Sequence, residues 1–143
     1  MAEVIKFSEA ASLGMHAMVL LVREPGKVFS TKEMARKLEV SGAHLSKVLQ
    51  RLTKAGLVRS VRGPKGGFVF ERDNGDPTLL EVYEAIDGRL VESKCLLGNP
   101  VCSREGCILG GLLGSANKEV KGYLSGTRLS ELAFVYGGKK DGG

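Results

Sequence analysis

Three thiols are the residues in this chain best suited to chemistry. Cys95, Cys102 and Cys107 are spaced C-x6-C-x4-C along a glycine-containing stretch, residues 89–106, that has no clean hydrophobic period and reads as a loop. Thiolates carried on a loop can converge on an iron–sulfur cluster, whose irons favour sulfur donors. The spacing lacks the C-x2-C pairs of zinc ribbons, so structural zinc is the weaker reading. Cluster-free redox thiols, or inert buried ones, remain the competing readings. An odd number of cysteines argues against a disulfide framework.

A second feature precedes the thiols. Residues 41–70 carry Lys47, Arg51, Lys54, Arg59, Arg62 and Lys65 and contain neither Asp nor Glu. Basic residues on a helix usually mark only a solvated face. Six of them without an acid, on a helix pattern followed by a glycine-turned ribbon, suit a reader of duplex DNA. The helix can fill a major groove while the ribbon reaches flanking backbone or minor groove. His44 either touches DNA or packs locally, and Arg51, late in the helix, is either a phosphate contact or simply exposed. The balancing acid follows at once, in Glu71, Asp73, Asp76, Glu81, Glu84, Asp87 and Glu92. The net charge of +5 over 143 residues therefore matters less than its segregation, which makes nucleic acid the favoured partner.

The elements that must position these groups are legible in outline. Residues 8–23 have apolar residues at helix spacing (Leu13, Ala17, Leu20, Leu21), stopped by Pro25-Gly26. Ser30 and Glu33 form a capping box ahead of a short helix burying Met34, Ala35 and Leu38. Ser41 caps the next helix, which buries Leu45, Val48, Leu49 and Leu52 and ends at Gly56. Two helices across a tight turn are helix-turn-helix spacing. Residues 57–61 and 67–70 read as strands around the turn Arg62-Gly63-Pro64-Lys65-Gly66, which makes the hairpin a wing. Thr78 and Glu81 start a further helix through Ile86, closed by Gly88. Leu109, Leu112, Leu113, Ala116, Val120, Tyr123 and Leu124 mark a long amphipathic helix. Gly110, Gly111 and Gly114 weaken it by about 1 kcal/mol each, so it needs tertiary or partner packing, and surface glycines that allow a second helix to approach closely make a dimer interface a reasonable expectation. A short helix over 129–135 and a solvated tail complete the chain. The expected fold class is mainly α with a small β-hairpin: a winged helix-turn-helix plus a long dimerisation helix.

The run from Leu52 to Phe68, LTKAGLVRSVRGPKGGF, closely resembles the winged-helix regulators of the Rrf-two family. Residues 13–20 look like that family's first helix, 78–88 like its post-wing helix, and three cysteines follow at about the expected place. The resemblance implies a homodimer on a pseudo-palindromic double-stranded DNA operator. It divides the chain into a DNA-binding domain (1–88), a cysteine-containing cluster loop (89–107), dimerisation and C-terminal helices (108–136) and a flexible tail (137–143). Ser41, His44, Ser46 and Lys47 would face base edges and phosphates, with Arg51 and Arg59 alongside. Arg62 and Lys65 would place the wing. Cys95, Cys102 and Cys107 would ligate a 2Fe-2S or 4Fe-4S cluster. In the family the remaining ligand is a histidine near the cysteines, or a carboxylate or histidine from the partner's first helix. No histidine follows Cys107, which leaves Glu9 and His16 as candidates; a histidine at the edge of an apolar face is the other reading of His16.

No catalytic constellation assembles: neither histidine pairs with a nucleophile, and no phosphate loop appears, so the chain is expected not to be an enzyme. With no run near the roughly 20 apolar residues of a membrane span, a cytoplasmic protein is expected. Two alternatives share these features. One is a winged-helix regulator whose cysteines act as thiols. The other is an iron–sulfur electron carrier or assembly partner whose basic face docks an acidic protein.

Overall fold

The computed structural model describes residues 5–92, 108–109 and 111–136, so Cys95, Cys102 and Cys107 lie outside the described residues. In chain order the elements are α1 (Glu9–Arg23), α2 (Thr31–Leu38), α3 (Gly42–Lys54), β1 (Arg59–Val61), β2 (Gly67–Val69), α4 (Leu79–Asp87), α5 (Leu112–Gly126) and a 3₁₀ helix, Leu129–Tyr136. This is the expected mainly helical fold with one antiparallel hairpin.

α1 is the central post. It buries Ala11, Leu13, Ala17, Met18, Leu20 and Leu21 on more than one face, because α3 and α4 pack on one side and the 3₁₀ helix on another. Around it the helices start where side-chain oxygens can take up orphan amides. Ser8, Ser30, Ser41 and Thr78 accept from the backbone N–H three residues on, at 2.9 to 3.3 Å. At Ser30 only the hydroxyl half of the expected capping box is seen, since the Glu33 carboxylate turns to the Lys27 ammonium, 3.6 Å away.

α3 ends in a Schellman motif, with Leu57 N–H donating to Leu52 O and Gly56 N–H to Thr53 O, both at 3.0 Å. Gly56 supplies the left-handed residue, with φ +82°. That motif consumes the Leu57 amide, which is why β1 begins at Arg59 and not at 57 as the apolar run suggested. β1 and β2 pair with Arg59 opposite Val69 and Val61 opposite Gly67. β2 has a second partner that the hydrophobic pattern does not announce: Phe29 exchanges both backbone hydrogen bonds with Phe68, at 2.8 and 2.9 Å. Gly67 is required there, because a Cβ on it would fall 2.0 Å from Phe29 O. The wing is thus fastened to the loop ahead of α2.

The C-terminal region deviates most from expectation. α5 starts at Leu112, not Leu109, because Gly111 sits at its N-cap with φ +84°. Leu113 and Leu124 turn inward as expected, with Asn117 fully buried between them and its Oδ1 accepting from Ile5 N–H at 2.6 Å. Leu112 and Tyr123 stay 60% exposed. The last segment is a 3₁₀ helix whose first residue, Leu129, donates to Pro77 O at 2.9 Å; Ser130 Oγ donates to Asp76 at 2.8 Å. These bonds staple the chain's end to the head of α4.

Candidate nucleic-acid interface

α3 divides cleanly into two faces. Leu45, Val48, Leu49 and Leu52 are buried, while Ala43, Lys47, Gln50, Arg51 and Lys54 lie on the solvent side. The Ser41 hydroxyl is committed to the His44 amide at 3.3 Å, so its first role is to start the helix. His44 and Ser46 are half-buried at the edge of the solvent face, and Ser46 Oγ accepts from Gln50 Nε2 at 3.4 Å. α3 has no acid in its first turn, so its N-terminal partial positive charge is unopposed locally.

Past the Schellman turn, the hairpin carries Arg62, Gly63, Pro64 and Lys65 at its exposed tip. Gly66 N–H closes the turn on Gly63 O at 2.9 Å. A Cβ on Gly66 would fall 2.1 Å from Val61 O, so the tip stays thin enough to approach a backbone closely. Among the described residues none of Lys47, Lys54, Arg62 and Lys65 has an ion-pair partner. Arg59 and Arg51 differ. Arg59 Nη2 lies 2.6 Å from Glu71 Oε2, and Arg51 Nη1 donates to Ile86 O at 2.7 Å.

Two sets of polar groups on this side went unread in the sequence. Gln50 lies three residues from Lys47 and four from Ser46, on the same solvent face. α2 exposes Lys32, Arg36 and Lys37. Both are legible as helical spacing, although the acid-free run itself begins only at residue 41.

Glu9 and His16 meet the reading helix at an open cleft of about 580 Å³. Its walls are Glu9, Ser12 and His16 of α1, the turn from Lys37 to Ser41, and His44. His16 Nδ1 is 2.7 Å from Ser12 O. A carbonyl only accepts, so Nδ1 carries the proton of that contact, and Nε2 is the nitrogen left over for another partner. Tyr136 also lines the cleft, and burial pushes its phenol above the ordinary value, so it stays protonated. Among the described residues no group of three or more His, Cys, Asp or Glu could hold a metal ion, and no helix is long and apolar enough to cross a membrane.

The family model for Rrf2, described as an iron-dependent transcriptional regulator, matches residues 7–134. The chain is 30% identical over 114 residues to the HTH-type transcriptional regulator IscR of Klebsiella pneumoniae, covering 80% of this chain and 69% of that one. It resembles the structure of CymR, the global cysteine regulator of B. subtilis, with a TM-score of 0.73, 27% identity, and coverage of 92% and 98%. T. potens IscR shares the fold, with a TM-score of 0.68 at 22% identity over 97% and 94% of the two chains. The acid-free helix, the thin cationic wing and these matches lead to one assignment: the chain belongs to the Rrf2 (Rrf-two) family and is a DNA-binding helix-turn-helix transcriptional regulator, not an enzyme.

Proposed function

We propose that the protein is a homodimeric repressor or activator whose three cysteines set its grip on a pseudo-palindromic operator. α3 enters the major groove with His44, Ser46, Lys47 and Gln50 toward base edges and phosphates. Arg62 and Lys65 carry the wing to the flanking backbone, Arg62 reaching into the minor groove. Lys32, Arg36 and Lys37 of α2 add phosphate contacts on the near side. The observation that carries this reading is the set of exposed cations on α3 and the wing tip, Lys47, Lys54, Arg62 and Lys65, that have no ion-pair partner among the described residues.

In the fuller form of the proposal, Cys95, Cys102 and Cys107 hold an iron–sulfur cluster, completed by Glu9 or His16 of the partner subunit. The donor set suits it: three soft thiolates, and an imidazole whose Ser12 bond leaves Nε2 free to ligate. When bound, such a group supplies a redox- and nitric-oxide-sensitive centre. Glu9 and His16 share a cleft with Ser41 and His44, so a change in what α1 holds reaches the start of α3 without crossing the core. Dimer contacts fall to α5, where Leu112, Ala116 and Tyr123 face outward around the exposed Glu119, and to the neighbouring groove of about 370 Å³ lined by Met15, Val19, Leu132 and Val135.

Anaerobic purification, a visible spectrum and iron analysis, followed by duplex binding of holo- and apo-protein, test this. Charge-transfer absorption with two or more irons per dimer and a holo/apo affinity difference is expected. If absorption and iron stay absent after reconstitution, the cluster form is overturned. The likeness to CymR favours the second reading, in which the thiols act without a cluster; alkylating them should then shift DNA affinity in a colourless protein.

A further inference from the structure

Arg51 belongs to the acid-free run and is exposed like Lys47 and Lys54, yet its guanidinium is already committed within the chain. It sits at the border between the solvent stripe of α3 and the buried residues Val48 and Leu52, and its Nη1 donates to Ile86 O at 2.7 Å. Ile86 O is one of the final carbonyls of α4, which lack partners within their own helix. α4 has no basic residue in its last turn, although Glu81, Glu84 and Asp87 make it strongly acidic. The missing cation therefore comes from another helix, placed where a helix C-terminus favours positive charge.

α4 is the last described helix before the cysteine positions in the sequence. Asp87 Oδ1 accepts from Ser8 Oγ at 2.7 Å, and Gly88 N–H donates to Glu84 O at 3.0 Å. Leu90 N–H then donates to Glu84 Oε2 at 2.9 Å, and Glu92 pairs with Lys121 of α5 at 3.5 Å. Cys95 follows three residues later. We infer that Arg51 is a positioning residue, whose guanidinium fastens the recognition helix to the end of α4 where the chain enters the cysteine segment, and which does not contact DNA. Its consequence, that the state of the cysteines reaches α3 through this bond, rests on the regulatory reading above.

Hydrogen–deuterium exchange on the full-length free protein separates the two roles of Arg51. In Arg51→Gln, amides 86–92 should exchange about tenfold faster, as expected for losing one charge-assisted hydrogen bond. Binding is measured on a duplex selected from a random pool with wild-type protein. Affinity should fall roughly threefold to tenfold, while the slope of log K against log salt stays at the wild-type value. A slope shallower by about one would mark a lost phosphate contact and overturn the inference, as would wild-type exchange at 86–92. Gly88→Ala approaches the link from its other end, where φ is +86° and nothing stands within 4 Å. It should give the same pattern without removing any charge, and unchanged affinity despite faster exchange at 86–92 would overturn the inference. Iodoacetamide alkylation should shift wild-type affinity and shift Arg51→Gln much less. If wild type shows no shift, the regulatory reading fails, and the exchange and salt results still decide the role of Arg51.

Discussion

α3 and α5 are helices of similar length with opposite outer faces. α3 covers its apolar side completely within its own chain and shows water Lys47, Gln50 and Lys54. α5 also buries an inner side, through Leu113, Asn117 and Leu124, but leaves Leu112 and Tyr123 uncovered with Ala116 between them. A polar outer face without acid suits a polyanion, whereas one that carries uncovered Leu112 and Tyr123 beside the acid Glu119 suits a second protein surface. Amphipathicity alone does not distinguish them, because both helices have an inner stripe. What separates them is the residue left over once that stripe is buried.

Putting charge on the outer stripe of α5 should break the comparison most severely. Leu112→Glu combined with Tyr123→Lys is expected to give a monomer by light scattering, with little change in melting temperature, since both side chains are already mostly exposed. Operator affinity should fall by about 100-fold or more, because two half-sites are no longer held at one effective concentration. A variant that stays dimeric would assign the α5 face to something other than a second copy. Next in size is Gly67→Ala, where the new Cβ meets Phe29 O and φ is +156°. Roughly 3 kcal/mol of stability should be lost in a denaturant melt. Gly56→Ala, with positive φ but nothing within 4 Å, should lose only about 1 kcal/mol.

That contrast between glycines also shows where the sequence was readable. Caps at Ser30, Ser41 and Thr78, the Gly56 stop and the hairpin turn all depend on residues within a few positions of one another. Their signals are local, and they lie where the chain suggested. The partner of Gly67 is Phe29, 38 residues earlier, and no periodicity encodes a backbone bridge at that distance. The same holds for Arg51: its charge was visible, but the carbonyl that takes it lies on a helix 35 residues further on. At the candidate site, spacing picked out the solvent stripe of α3 and the wing tip. The cations of α2 do not stand out in the same way, because Glu33 and Glu39 interleave with them in sequence while Lys32, Arg36 and Lys37 are exposed in the fold. The start of α5 lies about one turn later than the apolar pattern suggests, for a similar reason. Leu109 fits the apolar period, yet a glycine at φ +84° interrupts the helix two residues later.

The wing sharpens the α3 side of the comparison at smaller scale. Arg62→Ala should weaken operator binding by about tenfold and make the salt slope shallower by about one, with Lys65→Ala similar. Arg59→Ala should change the slope less, since Glu71 already neutralises that guanidinium at 2.6 Å. An equal change for Arg59 and Arg62 would mean that the Arg59–Glu71 pair opens on DNA, and that ion pairing in the free chain does not sort these cations.

Ser41 gives the smallest effect and the finest distinction. Ser41→Ala removes the N-cap of α3 and should lose about 1 kcal/mol of stability, read as a melting temperature lower by a few degrees. It should also loosen the first turn, where His44 sits, so a modest loss of DNA affinity would not by itself place Ser41 on a base or phosphate. Ser41→Asn separates the two causes, because asparagine caps a helix about as well as serine but projects a longer, differently shaped side chain toward the groove. If Ser41→Asn keeps both stability and affinity, the hydroxyl serves the helix and the helix serves the DNA. If stability holds while affinity falls, Ser41 itself faces the duplex, and the reading surface of α3 begins one residue before the helix does.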